Sequence, residues 1–575
     1  MKTPADAQSR EAPEQNRTRS SRARLQTEIL TVAFFLVVSL LVMHHRTIFS
    51  PIPTAEGGGD SVLYNITLEH EWRWVSGEPI HRSLWSPPNF FPKRETAAYT
   101  DLLLGVFPPY AAWRLLGAGV QTAFRLWMLT MSALNYVAAY LALRSLLRTS
   151  VPASSIGAVL FAFGSPRLAQ IGHQQLLPGF FEVAAFAGLY LLFSEPPAAL
   201  KRRRLLMGFL LAAGGAIAQF YTAFYYAWFM AFCASVALVF ALLISPFRRR
   251  LAAFLRHYWL PSGVSILMTT VLLAPAAELY YRTLTDVGPR QYTEVQHFLP
   301  NSAAWLAQGP DHWIYGPLNR RAGINRDFGG QEMFDGVGLI TTVLVLTAFF
   351  RFRRRPVVML WGAICGAILL TTLAWPGGFS LWRLVYDYFP GAHAVRAVSR
   401  FGVFILLPAS IALALGVDWL ADRVAPLAAV VCMLVVLIEQ AGSLAGAPAY
   451  STASVQEPAE AIVHRLRPDC KAFLVSYTTG TTSVPWMHLY GMWAELLSGL
   501  PTLNGYSGQV PPGWPLENVA IANRADHDRL YIGIQNWMRR YPQELDNVCW
   551  IAPDVNGAVL IRRSDAARGD RQDFH

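Results

Sequence analysis

Apolar runs close to twenty residues long recur along this chain, and short clusters of arginine sit in alternate gaps between them. A bilayer core offers no water to backbone amides, so a run of about 20 apolar residues crosses it as a helix that satisfies its own hydrogen bonds. Eleven spans are predicted, near 26–45, 121–143, 153–165, 178–194, 205–220, 224–245, 258–278, 336–350, 357–375, 401–420 and 424–443. Arg144 with Arg148, Lys201 to Arg204, Arg248 to Arg250 with Arg256, and Arg351 with Arg353 to Arg355 fall in short alternate loops. With the N-terminus inside, every cluster is cytoplasmic, as the positive-inside rule requires. Only 15% of the 575 residues are charged, against about a quarter in a soluble protein. The net charge of +11 belongs largely to those clusters and sets orientation, which argues against nucleic acid as a partner.

The fold class that follows is mainly α, a polytopic membrane protein, with a small α+β unit at its C-terminal end. Residues 1–25 are basic, rich in Ser and Gln, and read as a disordered cytoplasmic tail. No small-residue cleavage site follows the first span, since His44-His45-Arg46 comes next, so an uncleaved anchor is expected. The membrane domain runs over 26–443, and its long loops face outward: 46–120, 279–335 and 376–400. Spans three and four are short and joined through Ser165-Pro166-Arg167 and Pro178, so ideal crossings are not expected of them. Within the first outer loop, Val62 to Trp74 and Leu102 to Leu116 have helical apolar spacing suited to the membrane interface. Pro87 to Pro92 lies between them and is extended or turned. The tail, 445–575, carries strand-like runs at 472–476 and 558–561 and a helical one at 459–467, an extracytoplasmic domain of about 120 residues.

Asp60 stands in that first loop behind Gly57-Gly58-Gly59, where glycine lets the backbone turn sharply and aim a carboxylate. Other ionisable residues share the outward face: Glu69, His70, Glu71 and Asp101 in the first loop, Arg167 and His173 in the second, and Arg396 and Arg400 before span ten. Carboxylates beside arginines suit chemistry at a lipid phosphate. A guanidinium holds phosphate oxygens in pairs, and a carboxylate takes the proton of an attacking hydroxyl. Glu69, Glu71, Arg282 and Asp286 read instead as paired interfacial charges.

Several segments resemble a group of bacterial multi-spanning proteins. They are Asp60 in Gly-Asp, Trp85 to Pro92, Ala98 to Gly105, Phe161 to Leu176, Tyr386 to Gly391 with Arg396, Ser399-Arg400-Phe401, and Asn504 to Gly508. The resemblance covers about residues 57–515, and the group looks like the GT-C class of membrane glycosyltransferases. It implies transfer of a sugar from a polyprenyl-phosphate donor to a cell-envelope glycan, lipid or protein, at the outer face of a bacterial inner membrane. The class carries an essential acid soon after its first span, and Asp60 takes that position as general base. Asp101 stands where the group tends to have Glu. Asp101 or His173 would assist, or with Asp60 hold a divalent cation, while Arg167, Arg396 and Arg400 would hold the donor phosphate. Two alternatives remain open. A lipid or polysaccharide transporter should place paired charges near the bilayer midplane, where only Glu182 fits. A non-catalytic scaffold of the same fold would tolerate loss of Asp60.

Cys233, Cys365 and Cys432 lie within spans, leaving Cys470 and Cys549 in the tail. In an oxidising compartment such a pair forms a disulfide.

Overall fold

The computed structural model describes residues 25–324, 330–443, 448–552 and 557–562. Apart from its last residue, the tail expected over 1–25 lies outside them. Among the described residues, seven helices are long and apolar enough to cross a membrane: Leu25–Met43, Val120–Ser145, Gln174–Phe193, Arg202–Thr222, Phe224–Leu243, Ser245–Val287 and Val398–Arg423. Shorter apolar helices occupy Leu339–Phe352, Pro356–Thr372 and Pro426–Ala441. The chain is a multi-pass, mainly helical membrane protein.

The helix Val151–Phe163 shows how sequence sets an end. The Ser150 hydroxyl accepts from the Ala153 amide at its start, and Gly164 leaves helical geometry at its end, just before Pro166. From Ala153 onward every residue of it is buried, so it lies inside the helical body. Ser245–Val287 is longer than the expected span 258–278 because two helices meet at a kink. Tyr258 departs from helical geometry (φ −122°, ψ 32°), three residues before Pro261, whose ring crowds the preceding turn. Close packing between Phe180–Phe193 and Arg202–Thr222 rests on small residues. A Cβ on Gly188 would stand 2.3 Å from the Ala212 nitrogen, so no larger residue fits there.

The first loop and the tail share one core. Strand Thr54–Glu56 pairs antiparallel with Ala449–Ser451, in register Glu56 to Ala449. Helix Gly59–Val75 follows, starting earlier than the expected Val62 and burying Val62, Leu63 and Ile66 against Val455, Phe473, Leu489 and Met492 of the tail. The second helix of the loop runs over Phe107–Leu115. The Phe90 amide donates to the Asn504 carbonyl and the Thr502 amide to the Pro88 carbonyl, each at 3.0 Å. In the tail, strand Asn547–Ile551 lies between Ala472–Val475, parallel to it, and Val559–Arg562, antiparallel. The expected helix 459–467 is found at Ala453–Val463, and Val484–Ser498 and Arg524–Arg540 complete the unit. Cys470 and Cys549 are joined by a disulfide with Cα atoms 5.5 Å apart.

Candidate functional site

Asp60 owes its position to the glycines before it. Gly57 has φ +99°, and a Cβ there would lie 1.8 Å from the Ser61 hydroxyl, so only glycine allows this turn from strand into helix. Asp60 then falls in the first turn of Gly59–Val75, where the helix dipole favours a carboxylate. Its Oδ1 accepts a hydrogen bond from the Tyr506 hydroxyl at 2.6 Å, and its Oδ2 lies 3.4 Å from His173 Nε2. Two of the expected residues, Asp60 and His173, are therefore in contact.

His173 is fixed from its other side. Gln170 Oε1 takes the proton of Nδ1 at 2.7 Å, and Gln170 Nε2 donates to Glu332 Oε2 at 3.3 Å, which together assign the Nδ1–H tautomer. Nε2 is then an acceptor, 3.4 Å from Asp60 Oδ2 and 3.5 Å from Glu332 Oε1. Burial lowers the imidazole below its ordinary range, with the Arg400 charge adding to the effect and the two carboxylates opposing it. The ring is neutral at neutral pH. Three acceptors face one another, which makes a seat for a proton donor.

Glu332 comes from the short turn Gly330–Met333 in the loop 279–335, where nothing in the sequence sets it apart. Arg400 grips it, Nη2 to Oε1 at 2.7 Å and Nε to Oε2 at 3.2 Å. Burial would raise the Glu332 carboxyl, but the Arg400 guanidinium outweighs it and holds Glu332 well below the carboxylate range. Arg400 also lies over the Tyr225 ring, 5.2 Å from its centre, and the Tyr225 hydroxyl accepts from the Arg396 amide. Arg396 is different: its side chain is 35% exposed, with Nη1 3.4 Å from Glu294 Oε1 and the guanidinium over Phe298. Its charge bears on His173, Glu332 and Tyr506.

Asp101 stands beside this group in another role. Its Oδ1 accepts from the Phe224 amide at 2.7 Å, capping the helix Phe224–Leu243. Burial raises its carboxyl to about 6, against the Phe224 amide and the Arg400 charge. Tyr64 feels both Asp101 and Asp60 and links the two sides of the site. Arg167, expected at the donor phosphate, is held by the main chain. It is 2% exposed, and its Nε and Nη1 donate to the Phe161, Leu176 and Leu177 carbonyls within 3.0 Å. It ties the chain reversal between two helices, and its Nη2 is buried without a hydrogen-bond partner. Among the described residues no group of three or more His, Cys, Asp or Glu is arranged to hold an ion. Both Glu332 oxygens are engaged by Arg400 and Gln170.

No protein-family model matches the chain, and no curated protein matches it by sequence. Solved structures do. An oligosaccharyltransferase from Archaeoglobus fulgidus superposes with TM-score 0.53 at 12% identity, over 90% of this chain and 67% of that one. The arabinofuranosyltransferase AftD from Mycobacteria superposes with TM-score 0.52 at 14% identity, over 92% of this chain. It is much the longer protein, and the match spans 36% of it. The fold of this chain is similar to the folds of these two transferases.

Proposed function

We propose that the chain is a membrane glycosyltransferase that moves a sugar from a polyprenyl-phosphate donor to a cell-envelope acceptor, with Asp60 as general base. The observation that carries this reading is the pairing of Asp60 Oδ2 with the unprotonated Nε2 of His173 at 3.4 Å. An acceptor hydroxyl beside this pair donates its proton to Asp60 while its oxygen attacks the anomeric carbon. The bond from that carbon to the phosphate oxygen breaks, and the phosphate leaves with the electron pair. His173 Nε2 stands beside Asp60 as a second acceptor facing that proton, and Gln170, bonded to Glu332, fixes the ring. Arg396, the half-exposed cation of the group, suits the leaving phosphate. Arg400 is already matched by Glu332 and serves the architecture first.

Eleven crossings, a cytoplasmic N-terminus and a periplasmic tail complete the reading. The alternating basic clusters support the orientation, and the Cys470–Cys549 disulfide suits an oxidising compartment. The transporter alternative leans on Glu182, but that carboxylate accepts from the Tyr226 hydroxyl at 2.7 Å inside the protein. Envelope glycan and lipid profiles of a strain lacking the chain test the reading: loss of one sugar from one acceptor supports it, and an unchanged profile contradicts it.

A further inference from the structure

The helix that presents Asp60 also walls a pocket. Counting from Asp60, positions 63, 67, 70 and 71 recur at three- and four-residue steps and share a face with it. Leu63, Thr67, His70 and Glu71 line a pocket. The opposite wall is Trp85, Asn89 and Phe90 of the Pro-rich segment, and Tyr506 closes the end next to Asp60. Tyr506 is thus common to both places, since its hydroxyl is the donor to Asp60 Oδ1.

Glu71 is the residue that needs a reason. Other carboxylates of the outer loops are matched: Glu69 is held by Arg73, Arg114 and Tyr110, and Asp286 by Lys93 and Tyr99. Glu71 is 2% exposed, and its Oε2 has no hydrogen-bond partner. Leaving such a group buried and unmatched is unfavourable, so a ligand that supplies a hydroxyl there gains by doing so. Thr96 Oγ1, on the same wall, is likewise buried without a partner. No Lys or Arg lines the pocket, and burial keeps His70 neutral at neutral pH, so a phosphate finds no counter-charge. What fits is a neutral, hydroxyl-rich ring whose apolar face lies on an indole.

We propose that this pocket binds the acceptor, a sugar or polyol unit, with Glu71 as the hydrogen-bonding partner that selects it and Trp85 as its stacking wall. The word acceptor rests on the function proposed above; the site itself does not. Tyr506 lines this pocket and donates to Asp60 Oδ1, so a unit bound here lies one side chain away from the base.

The test uses the full chain in detergent and dicyclohexylcarbodiimide, which adds to buried protonated carboxyls, with Glu71 labelling read by peptide mass spectrometry. A panel of methyl glycosides of common envelope sugars is the probe. At a concentration ten times its dissociation constant, a bound glycoside should cut Glu71 labelling about tenfold by mass action. Asp60→Asn should retain that protection, which separates binding from catalysis. The same glycoside should raise the unfolding temperature of the wild type and of Glu71→Gln but not of Glu71→Leu or Trp85→Ala. The proposal is overturned if Glu71 resists labelling in the free protein, or if no member of the panel protects it. Protection alongside full activity of Asp60→Asn would keep the pocket and sink the assignment of the base.

Discussion

Tyr506 and Asp60 are 446 residues apart in sequence, and the tyrosine hydroxyl donates to the carboxylate at 2.6 Å. The tail therefore reaches the centre of the site. Its shared strand pairing and shared core with the first loop hold that contact in place. Tyr506→Phe removes one donor to a charged acceptor. A loss of about 1.5–3 kcal/mol of such a bond corresponds to roughly ten- to hundredfold in transfer rate, with the unfolding temperature little changed. Initial rates with donor in excess measure it, and a rate equal to wild type would show that Asp60 is aimed by its own helix alone.

Arg400 and Arg396 should part company. Arg400 and Glu332 form a buried pair, and removing one partner strands the other. Arg400→Ala or Glu332→Ala should destabilise the protein by about 3–5 kcal/mol. Arg396→Ala should leave stability near wild type and weaken use of the donor. Thermal unfolding in detergent beside donor titration separates the two outcomes, and equal instability of all three variants would contradict the division of roles.

Asp101 gives a pH signature. Its folded value, about 6, lies above the ordinary 3.8, so the unfolded state loses this proton first as pH rises. Its contribution to stability therefore falls between about pH 4 and pH 6 and stays low above that. At about 1.4 kcal/mol per pKa unit the shift amounts to roughly 3 kcal/mol. Asp101→Asn, whose amide oxygen still accepts from Phe224, should lose that slope and be relatively more stable at pH 7. Unfolding curves of both proteins across this range measure the difference.

The sequence made some of this legible and hid the rest for physical reasons. Gly57-Gly58-Gly59-Asp60 was readable because a positive φ and a close approach leave a local mark, and the apolar runs were readable because a bilayer imposes length. Glu332 was not readable: a single acid in a long outer loop becomes a site residue only when Arg400, 68 positions later, folds onto it. The setting of Arg167 is hidden because its partners are main-chain carbonyls, which have no sequence signal. Glu71 looked like its paired neighbour Glu69, and only the folded helix shows that one faces arginines and the other a pocket.

The tail has its own test. The Cys470–Cys549 bridge closes a separation of 79 residues, which should stabilise the fold by about 4–5 kcal/mol on the chain-entropy description. Unreduced protein should resist alkylation at both cysteines, and Cys470→Ser should unfold at lower temperature. Two free thiols would count against a periplasmic tail.

The most direct measurement bears on Asp60 itself. Asp60→Asn keeps the shape and the contact with Tyr506 while removing the base. Transfer of sugar from a polyprenyl-phosphate donor, in membranes with equal amounts of folded protein, should fall by about 10²–10⁴-fold. A variant that folds, binds donor and transfers sugar at the wild-type rate would contradict Asp60 as the base and leave the scaffold reading standing.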